Sequence, residues 1–234
     1  MCTLTFIPKK NNGFVLTSSR DEAPGRNTIA PKKYSIEGTH VLFPKDEVAG
    51  GTWIGVSEKK RLICLLNGGF TAHKRASQYR MSRGVVVTQL LIAEKVTDAI
   101  QAFDFKGIEP FTIILLTYET KMQLFELVWD GEKAHFSEKS LQPHIWSSSL
   151  LYSKEMKQLR ETWFSEFIAA RKDLSPATVL KFHHEAGTGN PNSDLLMNRG
   201  FVKTKSITQI HKTEASLTMQ YEDLQTNQQT TTSL

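Results

Sequence analysis

The sequence predicts an α+β fold, a four-layer αββα sandwich in which two antiparallel sheets stack face to face with a helix layer outside each. Three observations lead there. Strand-like segments come as hairpins with turn signals between them. Helix-like segments come in two pairs, whereas a doubly wound parallel sheet needs a helix between successive strands. The apolar run Ile113, Ile114, Leu115, Leu116 shows no alternation, which marks a strand covered on both faces.

In chain order, residues 3–9 and 13–20 read as strands, and Lys10-Asn11-Asn12-Gly13 reads as the turn between them. Residues 23–31 are expected to be a loop broken by Pro24, Gly25 and Pro31, and 34–49 to be irregular. A second hairpin follows, 52–56 and 61–67. Its second strand carries Leu62, Cys64 and Leu66 on one face, so Cys64 is expected to be a small core residue. Ser82 is placed to cap a helix to residue 95 with an apolar stripe of Val86, Val87, Leu90 and Leu91, and Thr97 to cap a shorter one to 103. Strands return at 111–118, 122–128 and 133–137, and 138–149 is expected to connect. The longest helix is predicted from Ser153 to Arg171, with Met156, Leu159, Trp163, Phe167 and Ala170 as its core stripe. Ser175-Pro176 opens a helix with its cap and first-turn proline in order, and His183-His184-Glu185 close it as ordinary last-turn residues. Strands at 201–212 and 215–221 complete one expected domain, 1–222, and the polar segment 223–234 is expected to be a disordered tail.

The totals exclude several classes of function. At 234 residues, with ordinary charged and apolar fractions, the chain reads as a globular protein. No apolar run approaches the ~20 residues that span a bilayer, and no signal-peptide core is evident, so no integral membrane segment is expected. Two cysteines make no disulfide framework, which favours a reducing, cytoplasmic setting. The net charge of +5 is scattered and no nucleic-acid motif appears. The paired histidines lack the spacing of a metal site, so no metal is expected. No oligomeric state follows from the sequence.

The chemistry is concentrated at the start. Cysteine in second place permits removal of Met1, leaving Cys2 with a thiol and a free α-amino group, a nucleophile and a base on one residue. A two-residue turn at Asn11-Asn12 places Cys2 opposite Asp21 and Thr3 opposite Arg20; a three-residue turn moves the partner of Cys2 to Glu22. Either way Arg20-Asp21-Glu22 lies beside the N-terminus, where opposed side chains come within ~5 Å. A guanidinium there favours thiolate, and a carboxylate holds the ammonium or takes its proton. Read locally, an incidental strand cysteine and a charged hairpin end explain the pattern equally well. Asn67-Gly68-Gly69 is likewise either a plain turn or a source of oxyanion donors from the Asn67 amide and freed backbone N–H groups.

Met1-Cys2-Thr3-Leu4, Ser19-Arg20-Asp21-Glu22, Gly50-Gly51-Thr52-Trp53-Ile54-Gly55, Leu65-Leu66-Asn67 and Ser82-Arg83-Gly84 together resemble the NRDE family, also called the transport-and-Golgi-organisation protein 2 family. Ser19 stands where that family usually has asparagine. The family in turn resembles, more remotely, the N-terminal cysteine nucleophile hydrolases, in which an arginine and an aspartate on the second strand are separated by two residues; here Arg20 and Asp21 are adjacent. The resemblance implies an αββα fold and an amide hydrolase with Cys2 as nucleophile, Arg20 stabilising the thiolate, Asp21 orienting the amine and Asn67 donating to the oxyanion. Substrate contacts are then expected from Trp53, Arg26, Gly68 and Gly69, with a small molecule as substrate and no cofactor. The alternative it implies is a non-catalytic trafficking or binding module, with haem or lipid as the bound ligand.

Overall fold

The computed structural model describes residues 3–234; Met1 and Cys2 lie outside the described residues. The chain divides into two compact units, one running to Arg26 and resuming at Gln142–Ser233, the other spanning Asn27–Leu141.

The first unit holds a six-stranded antiparallel sheet in the order β10-β1-β2-β11-β12-β13. Its strands are β1 (Thr3–Pro8), β2 (Phe14–Glu22), β10 (His144–Ser147), β11 (Lys203–Lys212), β12 (Leu217–Asp223) and β13 (Gln228–Ser233). Two helices, α3 (Lys154–Ala169) and α4 (Pro176–Glu185), pack on β10 and on β2 and β11. Ser153 and Ser175 cap them as predicted, accepting from Met156 N–H and Thr178 N–H. The apolar contact between helices and sheet gathers Ile7, Val15, Phe164, Phe167, Val179, Phe182 and Leu195.

The second unit is a seven-stranded antiparallel meander. It comprises β3 (Thr28–Ile36), β4 (Thr39–Asp46), β5 (Ile54–Ser57), β6 (Arg61–Asn67), β7 (Phe111–Thr117), β8 (Gln123–Trp129) and β9 (Ala134–Lys139), with helices α1 (Arg83–Ile92) and α2 (Val96–Ala102). The predicted stripe of α1 is buried as expected, and Ser82 caps it. Helix α2 starts at Val96, after Lys95 rather than Thr97, and has no side-chain cap.

Several expectations need correction. The span 28–46, read as loop and irregular chain, is a hairpin turning at Glu37-Gly38, both at positive φ. Its prolines hid it: Pro31 sits at a register shift in β3, an edge strand that tolerates a missing N–H. The supposed connection 138–149 contains β10, which pairs with β1. The supposed tail 223–234 forms β13, whose Thr230 and Thr232 stand opposite Tyr221 and Met219. An exposed edge strand needs one good neighbour for its backbone but little apolar content, so composition does not reveal it. The stripe of α3 is also rotated. Leu159 is exposed, whereas Arg160, Phe164 and Phe167 form the buried face.

The first hairpin differs in register. Asn11 and Asn12 do form the turn, both at positive φ, and Gly13 N–H donates to Lys10 O at 3.0 Å. The next bond, however, runs from Lys9 N–H to Gly13 O at 2.8 Å, so Lys10 is an extra residue. This bulge slips the ladder by one and pairs Thr3 with Ser19 rather than Arg20. Cys2 itself, and with it the expected pairing to Asp21 or Glu22, lies outside the described residues.

Candidate functional site

In β2 side chains alternate between the two faces of the sheet. Val15, Thr17, Ser19 and Asp21 share the side covered by the helices with Thr3, Thr5 and Ile7 of β1. Leu16, Ser18 and Arg20 point the other way. Adjacent Arg20 and Asp21 are both buried, yet the strand turns their side chains to opposite faces.

Asp21 is held tightly. Tyr152 donates its hydroxyl to Oδ2 at 2.5 Å, and Thr204, opposite on β11, donates to Oδ1 at 2.5 Å. Thr204 Oγ1 in turn accepts the Met197 N–H at 2.9 Å. Two charge-assisted donors, one on each oxygen, orient the buried carboxylate. The Tyr152 ring is itself fixed, because the Arg160 guanidinium stacks 3.6 Å from its centroid. Arg160 is completely buried. Nη1 donates to Thr3 Oγ1 at 2.5 Å, and the remaining N–H groups reach the carbonyls of Ser193 and Asp194. A chain of contacts thus runs Thr3–Arg160–Tyr152–Asp21–Thr204, joining the first described residue of β1 to the end of β2.

Arg20 lies opposite Ser206, with Glu22 Oε2 4.0 Å from its Nη2. The intervening Lys205 is the bulged residue of β11. Its buried ammonium donates to the carbonyls of Pro24 and Arg26 at 2.8 and 2.6 Å, pinning the loop that follows β2. Burial, then the Arg20 charge, lowers the pKa of Lys205. Arg26 is half-buried in that loop.

The other expected site residues belong to the second unit. Asn67 ends β6 opposite Phe111. The Gly68 N–H is committed to Pro110 O at 3.0 Å, and its carbonyl accepts from Thr112 Oγ1. Gly69 has a packing reason, since a Cβ there would sit 3.1 Å from Asp130 Cα and Trp129 O. Trp53 is buried. The block around it also has a packing reason. A Cβ on Gly51 would lie 2.5 Å from the Gly84 carbonyl carbon, so two backbones touch where the loop meets the first turn of α1. Thr52 locks the turn through Oγ1 to Pro44 O and Ile54 O. Arg83, beside Gly84, sits 3.3 Å from the buried Glu109. The motifs at 50–55 and 82–84 are therefore two sides of one junction. Cys64 is fully buried, as expected.

Sequence reasoning missed Tyr152, Arg160, His183 and Thr204. Only Arg160 left a trace, standing in helical phase with Phe164 and Phe167 where an apolar residue would be expected. Among the described residues no group of three or more His, Cys, Asp or Glu is placed to hold a metal ion. Nor is any helix there long and apolar enough to cross a membrane.

The sequence model of the family described as Transport and Golgi organisation 2 matches residues 1–231. The chain belongs to that family. Its match extends past the domain end expected at 222. No curated protein sequence matches this Transport and Golgi organisation 2 family member significantly. Solved structures do. A variant of conjugated bile acid hydrolase from Clostridium perfringens is similar with a TM-score of 0.57 at 10% identity, covering 99% of this chain and 92% of that one. Penicillin V acylase from Agrobacterium tumefaciens gives 0.60 at 13%, covering 100% and 86%. A Caenorhabditis elegans orthologue of N-acylethanolamine-hydrolyzing acid amidase gives 0.58 at 12%, covering 89% and 92%. At such identities the likeness shows the fold alone, the αββα sandwich expected from the sequence.

Proposed function

We propose that this family member is an N-terminal cysteine amidohydrolase acting on a small non-peptide amide. The observation that carries this reading is the end of β2, where a guanidinium and a carboxylate are buried on consecutive residues of the strand that pairs with the N-terminal strand. Burying two charges costs several kcal/mol unless partners hold them, and such groups cluster at functional sites. The fold shared with a conjugated bile acid hydrolase, a penicillin V acylase and an N-acylethanolamine-hydrolyzing acid amidase supports the same reading.

In the proposed reaction, removal of Met1 frees the Cys2 amine. That amine takes the thiol proton and the thiolate attacks the amide carbonyl. Arg20 stabilises the thiolate, Asp21 orients the amine, and the Asn67 amide donates to the tetrahedral oxyanion; losing one such donor typically costs ~3 kcal/mol. The C–N bond breaks as the Cys2 ammonium returns its proton to the leaving amine. Water, deprotonated by the same amine, then hydrolyses the thioester. Trp53, Arg26, Gly68 and Gly69 are assigned to the substrate, and the setting to the cytoplasm.

The test is release of fluorescent aminomethylcoumarin from an N-acyl aminocoumarin panel by the purified chain, alongside its intact mass. Turnover that vanishes in Cys2→Ala, in protein lacking Met1, is the expected result. Turnover by protein that quantitatively retains Met1 would refute the amine as base, and turnover surviving Cys2→Ala would refute the nucleophile. The family description, Transport and Golgi organisation 2, is compatible with a second reading, a non-catalytic trafficking or binding module, for which haem or lipid is the proposed ligand. That reading predicts ligand uptake, seen for haem as a Soret band, with no turnover of any amide.

A further inference from the structure

The two histidines ending α4 have unlike surroundings. His184 is partly exposed and pairs with Glu222 Oε2 at 2.7 Å. His183 is fully buried, with both ring nitrogens engaged: Nε2 with Thr5 Oγ1 and Nδ1 with Ser19 Oγ, each at 2.8 Å. A neutral imidazole has one N–H and one lone pair, so one hydroxyl donates to it and the other accepts. Burial, with the charges of His184 and Arg160 nearby, pushes its pKa down to about 3. The ring is therefore neutral at working pH and does not serve as an acid or base there.

The two hydroxyls are not cross-strand partners. Thr5 pairs with Thr17, and Ser19 with Thr3, so the imidazole spans β1 and β2 diagonally. The register of this strand pair depends on the single extra residue Lys10 at the far end of the hairpin. A one-residue slip would turn every side chain of one strand to the other face. Backbone hydrogen bonds alone do not distinguish one register from the next, whereas a side chain that needs Thr5 and Ser19 together does.

We propose that His183 is a positioning residue for the catalytic site, a register pin that ties Thr5 of β1 to Ser19 of β2 and so fixes Arg20 and Asp21 against the start of β1. The inference rests on the amidohydrolase reading. Ser19 immediately precedes Arg20, and Thr5 stands two residues beyond Thr3, which Arg160 holds from α3. The pin thus acts one residue from Arg20 on β2 and three residues from Cys2 along the chain.

The test measures the rate of Cys2 alkylation by limiting iodoacetamide, with peptide mapping, in the wild type and in Ser19→Ala, Thr5→Val, Thr5→Ser and His183→Gln. Thermal midpoints are recorded in parallel. Ser19→Ala and Thr5→Val each remove one partner and leave the ring; each is expected to slow Cys2 alkylation about fivefold, the worth of one hydrogen bond. Thr5→Ser keeps the hydroxyl and is expected to restore the rate. His183→Gln reaches only the Thr5 position, and its rate is expected to match Ser19→Ala. A wild-type Cys2 no more reactive than the same thiol in unfolded protein overturns both this inference and the amidohydrolase reading. A reactive wild-type Cys2 whose rate is unchanged in Ser19→Ala and Thr5→Val, with only the midpoint lowered, overturns the pin alone.

Discussion

Replacing Tyr152 by phenylalanine isolates one bond of the network behind β2. The ring, its burial and its stacking against Arg160 are retained, and only the hydroxyl that donates to Asp21 Oδ2 at 2.5 Å is lost. Both residues are almost inaccessible, at 3% and 2%, so water does not readily replace the donor. A hydrogen bond to a charged group contributes roughly 1.5–3 kcal/mol net. We expect Tyr152→Phe to lower the unfolding free energy by about 2 kcal/mol, a factor of about 30 in the folded-to-unfolded ratio. With a urea slope of ~3 kcal/mol/M, the midpoint should fall by about 0.7 M at unchanged slope. Thr204→Val removes the other donor to the same carboxylate, and the two substitutions should couple, because the second leaves a buried charge with neither. Equilibrium urea unfolding of the two single variants and the double variant gives the cycle. Losses below about 0.5 kcal/mol for Tyr152→Phe, or strict additivity of the pair, would refute the claim that these donors hold a buried charge.

Other outcomes follow from the same structure. The folded pKa of His183 lies below its unfolded value, so between pH 6.5 and about 3 the unfolded chain binds the extra proton. Stability should therefore be complete above pH 6.5 and fall by roughly 1.4 kcal/mol per pH unit below it, and His183→Gln should flatten that slope in urea titrations from pH 7 to 5. Gly84→Ala sets helix propensity, which favours alanine by about 1 kcal/mol, against a Cβ 2.9 Å from the Thr52 backbone; we expect a net loss, read as a lower melting temperature, and a gain would show that the junction yields. Cys64, fully buried in β6, should resist iodoacetamide until the chain unfolds, so labelling as fast as at Cys2 would remove the case for a poised N-terminal thiol. Phe182→Ala empties part of the cluster formed with Phe164 and Phe167 and should cost about 3–5 kcal/mol in the same urea assay.

Much of the architecture was written locally. The caps at Ser82, Ser153 and Ser175, the asparagine turn at 11–12 and the strands 61–67 and 111–117 all follow from short-range physics: a side chain that can reach its own backbone, a residue that tolerates positive φ, an apolar run of strand length. The order of those elements was enough to name the α+β class, and the motif set was enough to name the family. Elements whose stability is borrowed were not legible. Strand β13 exists because β12 offers it a ladder, and β3 carries a proline that its edge position and register shift accommodate.

The site divides in the same way. The sequence by itself marked Arg20 and Asp21 as charges at a strand end, because their proximity to the N-terminal strand is a matter of counting along one hairpin. The count was one residue off, since a bulge at Lys10 costs nothing that composition records. Only the tertiary structure decided what holds those charges. Tyr152, Arg160, His183 and Thr204 lie more than a hundred residues along the chain, on elements whose packing against β1 and β2 depends on the whole core. A buried arginine or histidine gains stability as its donors find acceptors, and for Arg160 and His183 the chain supplies those partners from distant segments that no local pattern links.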